Sequence, residues 1–252
     1  GLVRHILTRI GRSSGEVMVC IVLNGKRLPH SEVLVERLQR IEGMVSIVLN
    51  VNREKTNVIL GRKIITLWGK DTITDSLDGI EFEISPLSFY QVNPVQTEVL
   101  YKKAVELADL KGDETVLDLY CGIGTISLFF ARKARQVFGV EIVPEAIADA
   151  RKNAKRNGIT NATFAVGAAE EVIPELYWEK GIAADVVVVN ITCRVSGRRA
   201  ARSRAESPPS RKRSAGAQPY PKPGKAAVWT RRAEKRAARE SVPPLASLCG
   251  QA

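Results

Sequence analysis

The sequence has little of what builds a metal centre or a membrane anchor. Its four cysteines (Cys20, Cys121, Cys193, Cys249) lie far apart with no CxxC spacing, and its two histidines, His5 and His30, do not cluster with them. No zinc site, iron–sulfur cluster or other metal is expected from such spacing. No apolar run reaches the ~18 residues of a membrane span, and no signal peptide is read at the start. These absences predict a cytoplasmic protein with reduced thiols and no membrane partner.

An excess of charge is also missing from most of the chain. The formal net charge is +11 over 252 residues. Residues 191–252 hold 15 Lys and Arg against 3 Asp and Glu, which leaves 23 against 24 in the first 190. The overall basicity therefore says nothing about what the body binds. The last 62 residues are low in complexity, rich in Pro, Ser, Arg and Ala, with few aliphatic residues to bury. They are expected to be disordered and dispensable for folding.

What is present falls into two patterns. Residues 1–85 mix strand and helix signals, an α+β domain that could face RNA but carries no catalytic signature. "EVMVCIVLNG" is a β-rich run closed by Asn24-Gly25, and "SEVLVERLQRI" has Ser31 as a cap and helical apolar spacing. "VSIVLNV", "NVIL", "IITLW" and "IEFEI" read as short strands. Residues 86–190 alternate helix and strand instead. An amphipathic helix over Val95–Leu110 precedes "TVLDL", "QVFGVE", "ATFAVG" and "DVVVV", with a helix from Pro144 closed by Gly158. Such alternation predicts an α/β fold, a parallel sheet with helices on both faces.

The turn "DLYCGIG" places Asp118 at a strand end and Gly122 and Gly124 just beyond it. A dinucleotide site usually has a third glycine, and an acid at the strand tip would repel pyrophosphate. Both features disfavour a nicotinamide-dependent oxidoreductase. S-adenosylmethionine has no phosphate and carries a sulfonium and an ammonium, which suit an acid there. The next strand ends in Glu141, placed to take two ribose hydroxyls. The competing reading makes Asp118 a turn cap and Glu141 a solvated strand end. Asn190 follows the buried run "DVVVV", where an α/β enzyme usually faces its ligand.

The stretches "SFYQVNPVQTEVLY", "DLYCGIGTISLF" and "GVEIVPEAIADARKNAKRNGITNATFAVG" resemble the RNA uracil-5 methyltransferase family, in particular its bacterial 23S ribosomal RNA members, and the likeness covers about residues 1–190. The resemblance implies a class I, Rossmann-like methyltransferase domain using S-adenosylmethionine on ribosomal RNA, incomplete at its C-terminal end, in a monomer. It implies cofactor contacts at Gln91, Tyr120 and Glu141, with Asp118 and Gly122 in the turn; the variable family position after the glycines falls on Thr125.

The family also implies what this chain does not carry. Asn190 stands at a family Asp, and the Pro-Pro-Arg that follows it there is absent. So are the family's cysteine in Ser-Cys-Asn/Asp-Pro and its C-terminal glutamate. That cysteine adds as a thiolate to carbon 6 of uracil, carbon 5 takes the methyl group, and a base then removes the carbon 5 proton. Cys193 and Cys249 lack these surroundings, and Cys121 is expected to pack within the turn, so no catalytic residue is assigned. Codons for Trp229–Ala233 with C in the free third positions read Asp-Pro-Pro-Arg in another frame, which would make residues 191–252 an out-of-frame product. The expected function is a 23S ribosomal RNA (uracil-5-)-methyltransferase chain lacking its catalytic end. The alternative is a catalytically inactive S-adenosylmethionine- and RNA-binding protein with a functional basic tail.

Overall fold

The computed structural model describes residues 1–179, 181–191 and 225–230. The first sheet has four strands in the order β1 (Val3–Ile10), β2 (Val17–Leu23), β3 (Met44–Val51) and β4 (Lys63–Gly69). β2 and β3 are parallel and joined through helix α1 (Ser31–Leu38), while β1 and β4 run antiparallel at the edges. Central strands are covered on both faces, which is why "VMVCIVL" and "VSIVLNV" read as unbroken apolar runs rather than alternating ones. One face packs on Leu34, Val35 and Leu38 of α1 through Val19, Ile21, Ile47 and Leu49. Met18 points into the other core. Ser31 is the first helical residue rather than the cap; His30 caps α1 with left-handed backbone and no side-chain bond.

The run "NVIL" is not a strand but part of the loop between β3 and β4. Two buried asparagines hold its backbone. Asn50 gives its amide to Gly61 O at 2.6 Å and accepts Gly61 N at 2.7 Å, while Asn52 donates to Val58 O and Ile59 O at 2.7 and 3.0 Å. Side-chain amides thus do for this loop what a ladder does for a strand.

The second sheet follows the α/β pattern read from the sequence. Strands β7 (Thr115–Leu119), β8 (Gln136–Glu141), β9 (Ala162–Val166) and β10 (Val186–Ile191) are parallel, with β7 between β8 and β10. Helices α2 (Pro94–Ala108), α3 (Thr125–Ala131) and α4 (Pro144–Arg156) share the core of one face. The helix α5 (Ala169–Trp178), interrupted in sequence by Pro174, covers the other through Ala169, Val172 and Leu176. Asn93 caps α2, accepting Gln96 N at 3.2 Å.

Between the two sheets lies the hairpin β5 (Ile73–Leu77)–β6 (Ile80–Ile84). Its Ile73, Leu77, Ile80, Phe82 and Ile84 are buried in the same cluster as Val116 and Phe130. By packing the hairpin joins the helical side, although it precedes residue 85.

The disorder expected of residues 191–252 does not extend to 225–230. These form β11 (Lys225–Thr230), antiparallel to β10 with Val188 opposite Val228. The edge of a parallel strand offers unpaired backbone groups, and a run such as "KAAVWT" has the β-prone residues to take them. Removing the tail would therefore bare an edge of the sheet rather than cost nothing. Most of the tail, with Cys193 and Cys249, lies outside the described residues.

Replacing Asn50 by Ala should leave the N–H and C=O of Gly61 unpaired, at about 1–3 kcal/mol per group. Urea unfolding should show a lower midpoint at unchanged slope. A midpoint equal to wild type would mean that water replaces the amide.

Candidate functional site

The carboxyl ends of β7, β8 and β10 converge on the turn that follows β7. Tyr120, Gly122 and Gly124 all hold positive φ, at 63°, 56° and 81°. For Tyr120 that is an unfavourable backbone state. At Gly124 a side chain would also be crowded, because an added Cβ would lie 3.1 Å from Phe164 and 3.2 Å from the Ala150 methyl. Around Gly122 there is open space, which a ligand can approach.

Glu141 ends β8 and reaches across to this turn. Its Oε2 accepts Gly122 N at 3.1 Å and its Oε1 accepts Val143 N at 3.1 Å. Cys121 N donates to Val140 O at 3.0 Å beside it. Glu141 is thus not a merely solvated strand end; it fixes the turn while each oxygen keeps a further lone pair. The Tyr120 hydroxyl donates to Glu170 at 3.4 Å, and its ring is 38 % exposed.

Asp118 is fully buried and accepts a hydrogen bond from the Ser127 hydroxyl of α3, while its Oδ1 is buried with no partner among the described residues. Burial, then the nearby Glu141 charge, pushes its carboxyl up to about 7 against the pull of Ser127. Its place is behind the turn rather than at an open strand tip. Ser127 ties Asp118 to α3, and the buried Oδ1 is closed to solvent.

Asn190 meets a residue that the sequence reading passed over. Its amide donates to the hydroxyl of Tyr101 at 3.4 Å, and that hydroxyl lies 3.0 Å from Thr125 Oγ1. The Gln91 side chain also acts on that hydroxyl. Tyr101 is fully buried, and burial raises its hydroxyl to about 12, so it remains a donor near neutrality. On an amphipathic helix an aromatic at a buried position reads as core, and Tyr101 is core, stacked edge-on against Phe129 at 5.2 Å. Only its hydroxyl end is polar, and no spacing rule reveals that end.

Gln91 sits in the segment 85–93, which is held by both β1 and α4. Arg9 of β1 donates to Pro86 O at 3.1 Å and Ser88 O at 2.7 Å, and Ser88 Oγ donates to Asp149 of α4 at 3.0 Å. Arg9 was not a sequence candidate, since nothing local marks a strand arginine as a clamp on a loop 77 residues away. A cleft of about 440 Å³ opens between Leu60–Arg62 and Ile142–Pro144, directly past Glu141. A second, of about 470 Å³, contains Arg9, Phe89 and Gln91.

The two described cysteines are buried, Cys20 in β2 and Cys121 in the turn. Burial pushes the Cys20 thiol up to about 11 and the Cys121 thiol well above its usual range. Cys121 packs as the sequence suggested, and neither is a ready thiolate. Among the described residues no group of His, Cys, Asp and Glu is arranged to hold a metal ion, and no helix is long and apolar enough to cross a membrane.

Comparison with known proteins follows this geometry. Residues 110–210 match a family model described as a methyltransferase domain. A Clostridium tetani protein described as an uncharacterized RNA methyltransferase is 56 % identical over 191 residues, covering 75 % of this chain and 41 % of that protein. A similar protein of Halalkalibacterium halodurans is 54 % identical over 191 residues, covering 75 % and 42 %. The chain thus spans about two fifths of the length of these curated relatives. Among solved structures, the Pyrococcus abyssi tRNA (uracil-54, C5)-methyltransferase in complex with S-adenosyl-L-homocysteine aligns with TM-score 0.59 and 28 % identity, over 75 % of this chain and 50 % of that one. The likeness to RNA methyltransferases and the Rossmann-like fold read from the motifs are both borne out.

Asp118 gives the site a pH signature. An unfolded aspartate loses its proton near pH ~4, while the folded one holds it to about 7. Between those values the unfolded chain binds fewer protons, so this group's contribution to stability falls as pH rises through the window. Asp118→Asn should flatten that fall in melting temperatures taken from pH 4 to 8 without ligand. Parallel curves for the two proteins would refute the assignment.

Proposed function

We propose that this chain, whose first 190 or so residues are homologous to RNA methyltransferases, is the S-adenosylmethionine-binding body of an enzyme acting on carbon 5 of a uridine in ribosomal RNA. The observation that carries the cofactor reading is Glu141, drawn against an open glycine turn by Gly122 N with lone pairs left over. The residues present fit the group. Glu141 would accept the ribose hydroxyls, and Gly122 admits close approach. Asp118 holds the turn from behind through Ser127 and adds negative charge there only above about pH 7. Gln91 and Asn190, joined through Tyr101, would close the side nearest β10. When bound, S-adenosylmethionine supplies an electrophilic methyl group.

The chain's own residues supply holding and orientation. Carbon 5 of uracil needs a nucleophile at carbon 6 before it can take a methyl group, and neither described cysteine supplies a thiolate. This favours cofactor and RNA binding without turnover in the chain as it stands. Titration calorimetry with S-adenosylhomocysteine should show binding that Glu141→Ala weakens about 10- to 150-fold, the equivalent of about 1.5–3 kcal/mol for charge-assisted hydrogen bonds. Equal affinity in a folded variant would remove Glu141 from the site.

Incubation with labelled S-adenosylmethionine and unmodified 23S ribosomal RNA should give no 5-methyluridine. Robust product would overturn the inactive reading and point to a cysteine outside the described residues.

A further inference from the structure

The small sheet gathers six exposed cations at one end. At that end β1 and β4 begin while β2 and β3 finish, as the pairings of Val3 with Leu23 and of Lys63 with Val51 require. Parallel pairing of Leu23 with Val51 brings the two outgoing loops side by side. Those loops and the start of β4 carry Lys26, Arg27, Arg53, Lys55, Arg62 and Lys63, all exposed. None has a carboxylate within ion-pair distance among the described residues. The carboxylates nearby in sequence are Glu54, in the same loop, and Glu32, which takes His30 at 3.8 Å.

Many cations elsewhere in the body are paired, although Arg12, Arg37, Lys133 and Lys155 also lack an ion pair among the described residues. Lys70, at the opposite end of the sheet, lies 2.7 Å from Glu16; Lys102 and Arg132 both reach Asp78 at 2.8 Å; Arg156 reaches Glu83 at 2.7 Å. The body as a whole is close to neutral by sequence, so a run of six unpaired cations at one edge is a local arrangement and not a reflection of net charge. It is also a held arrangement. Arg4 spends its guanidinium on Asn52 O and Glu54 O at 3.1 and 2.7 Å, and Asn50 and Asn52 fix the rest of the loop. The basic end is continuous with the cleft next to Glu141, because Arg62 lines that cleft opposite Val143.

We infer that this end of the sheet is an RNA phosphate track that leads into the cleft beside the cofactor turn, an inference that rests on the proposed RNA methyltransferase reading. Three interstrand gaps make the end about 14 Å wide at ~4.8 Å each. Unpaired ammonium and guanidinium groups gathered at one end suit phosphates and give affinity without sequence choice.

The test compares the full chain with the variant Lys26→Gln, Arg27→Gln, Arg53→Gln, Lys55→Gln, all at exposed loop positions. Each binds a fluorescent single-stranded RNA, followed by anisotropy from 50 to 300 mM salt. At about −0.7 log units per phosphate contact the variant's slope should be shallower by about 2 to 3. The basic tail is present in both proteins, so its share cancels. Equal slopes would overturn the track, as would tighter capture by phosphatidylserine vesicles than by RNA. Calorimetry with S-adenosylhomocysteine on both proteins separates the two ideas. Cofactor binding with equal slopes fails the track alone, whereas no cofactor binding fails the underlying reading whatever the slopes do.

Discussion

Three of the five residues from Tyr120 to Gly124 hold left-handed backbone, and the surrounding structure is arranged to keep them so. A turn of that kind costs conformational energy and survives only where several contacts fix it together. Glu141 accepts its Gly122 amide, Val140 O takes Cys121 N, Ser127 ties the following helix to Asp118, and Asn153 donates to Ile123 O at 3.2 Å. Glu141 and Val140 belong to β8, Ser127 to α3 and Asn153 to α4. The turn is consequently placed by β8, β7, α3 and α4 at once, which is what a preorganised ligand site needs.

The same contacts link the turn to the rest of the chain. Asn153 is fully buried, and while its amide donates to Ile123 O its Oδ1 accepts Glu83 N of β6 at 2.8 Å. One side chain thus joins the glycine turn to the hairpin. On the opposite wall Tyr101 joins α2, α3 and β10 through a single hydroxyl. These are polar contacts in a dry core, where an unmet partner is costly and a met one specifies geometry.

The sequence made the parallel sheet, its order of elements and the glycine turn legible, because continuous apolar runs, glycine pairs and proline-started helices report local constraints directly. Glu141 was legible for the same reason: it ends a strand. Tyr101 and Arg9 were not, since their roles rest on partners dozens of residues away. "NVIL" misled because an apolar run looks the same whether a ladder or a pair of asparagine amides satisfies its backbone. Helix α5 was hidden by Pro174, and β11 by the composition around it. The hairpin was read as part of the first domain since strand signals carry no record of which core will receive them.

That hairpin has a mechanical consequence. Its first strand is hooked by the turn after β1: Asp75 accepts Ser13 N and Oγ at 2.8 and 2.7 Å, and Thr74 N donates to Glu16 at 2.7 Å. Its second strand is held by α4, where Asn157 both accepts Glu81 N and donates to Glu81 O at 2.9 and 2.7 Å. Two domains joined by a plain linker would be free to swing against each other. Fastened on both sides by these hydrogen bonds, the hairpin couples the turn after β1 to the end of α4, and the cleft lined by Arg62 and Val143 lies among segments tied to one another.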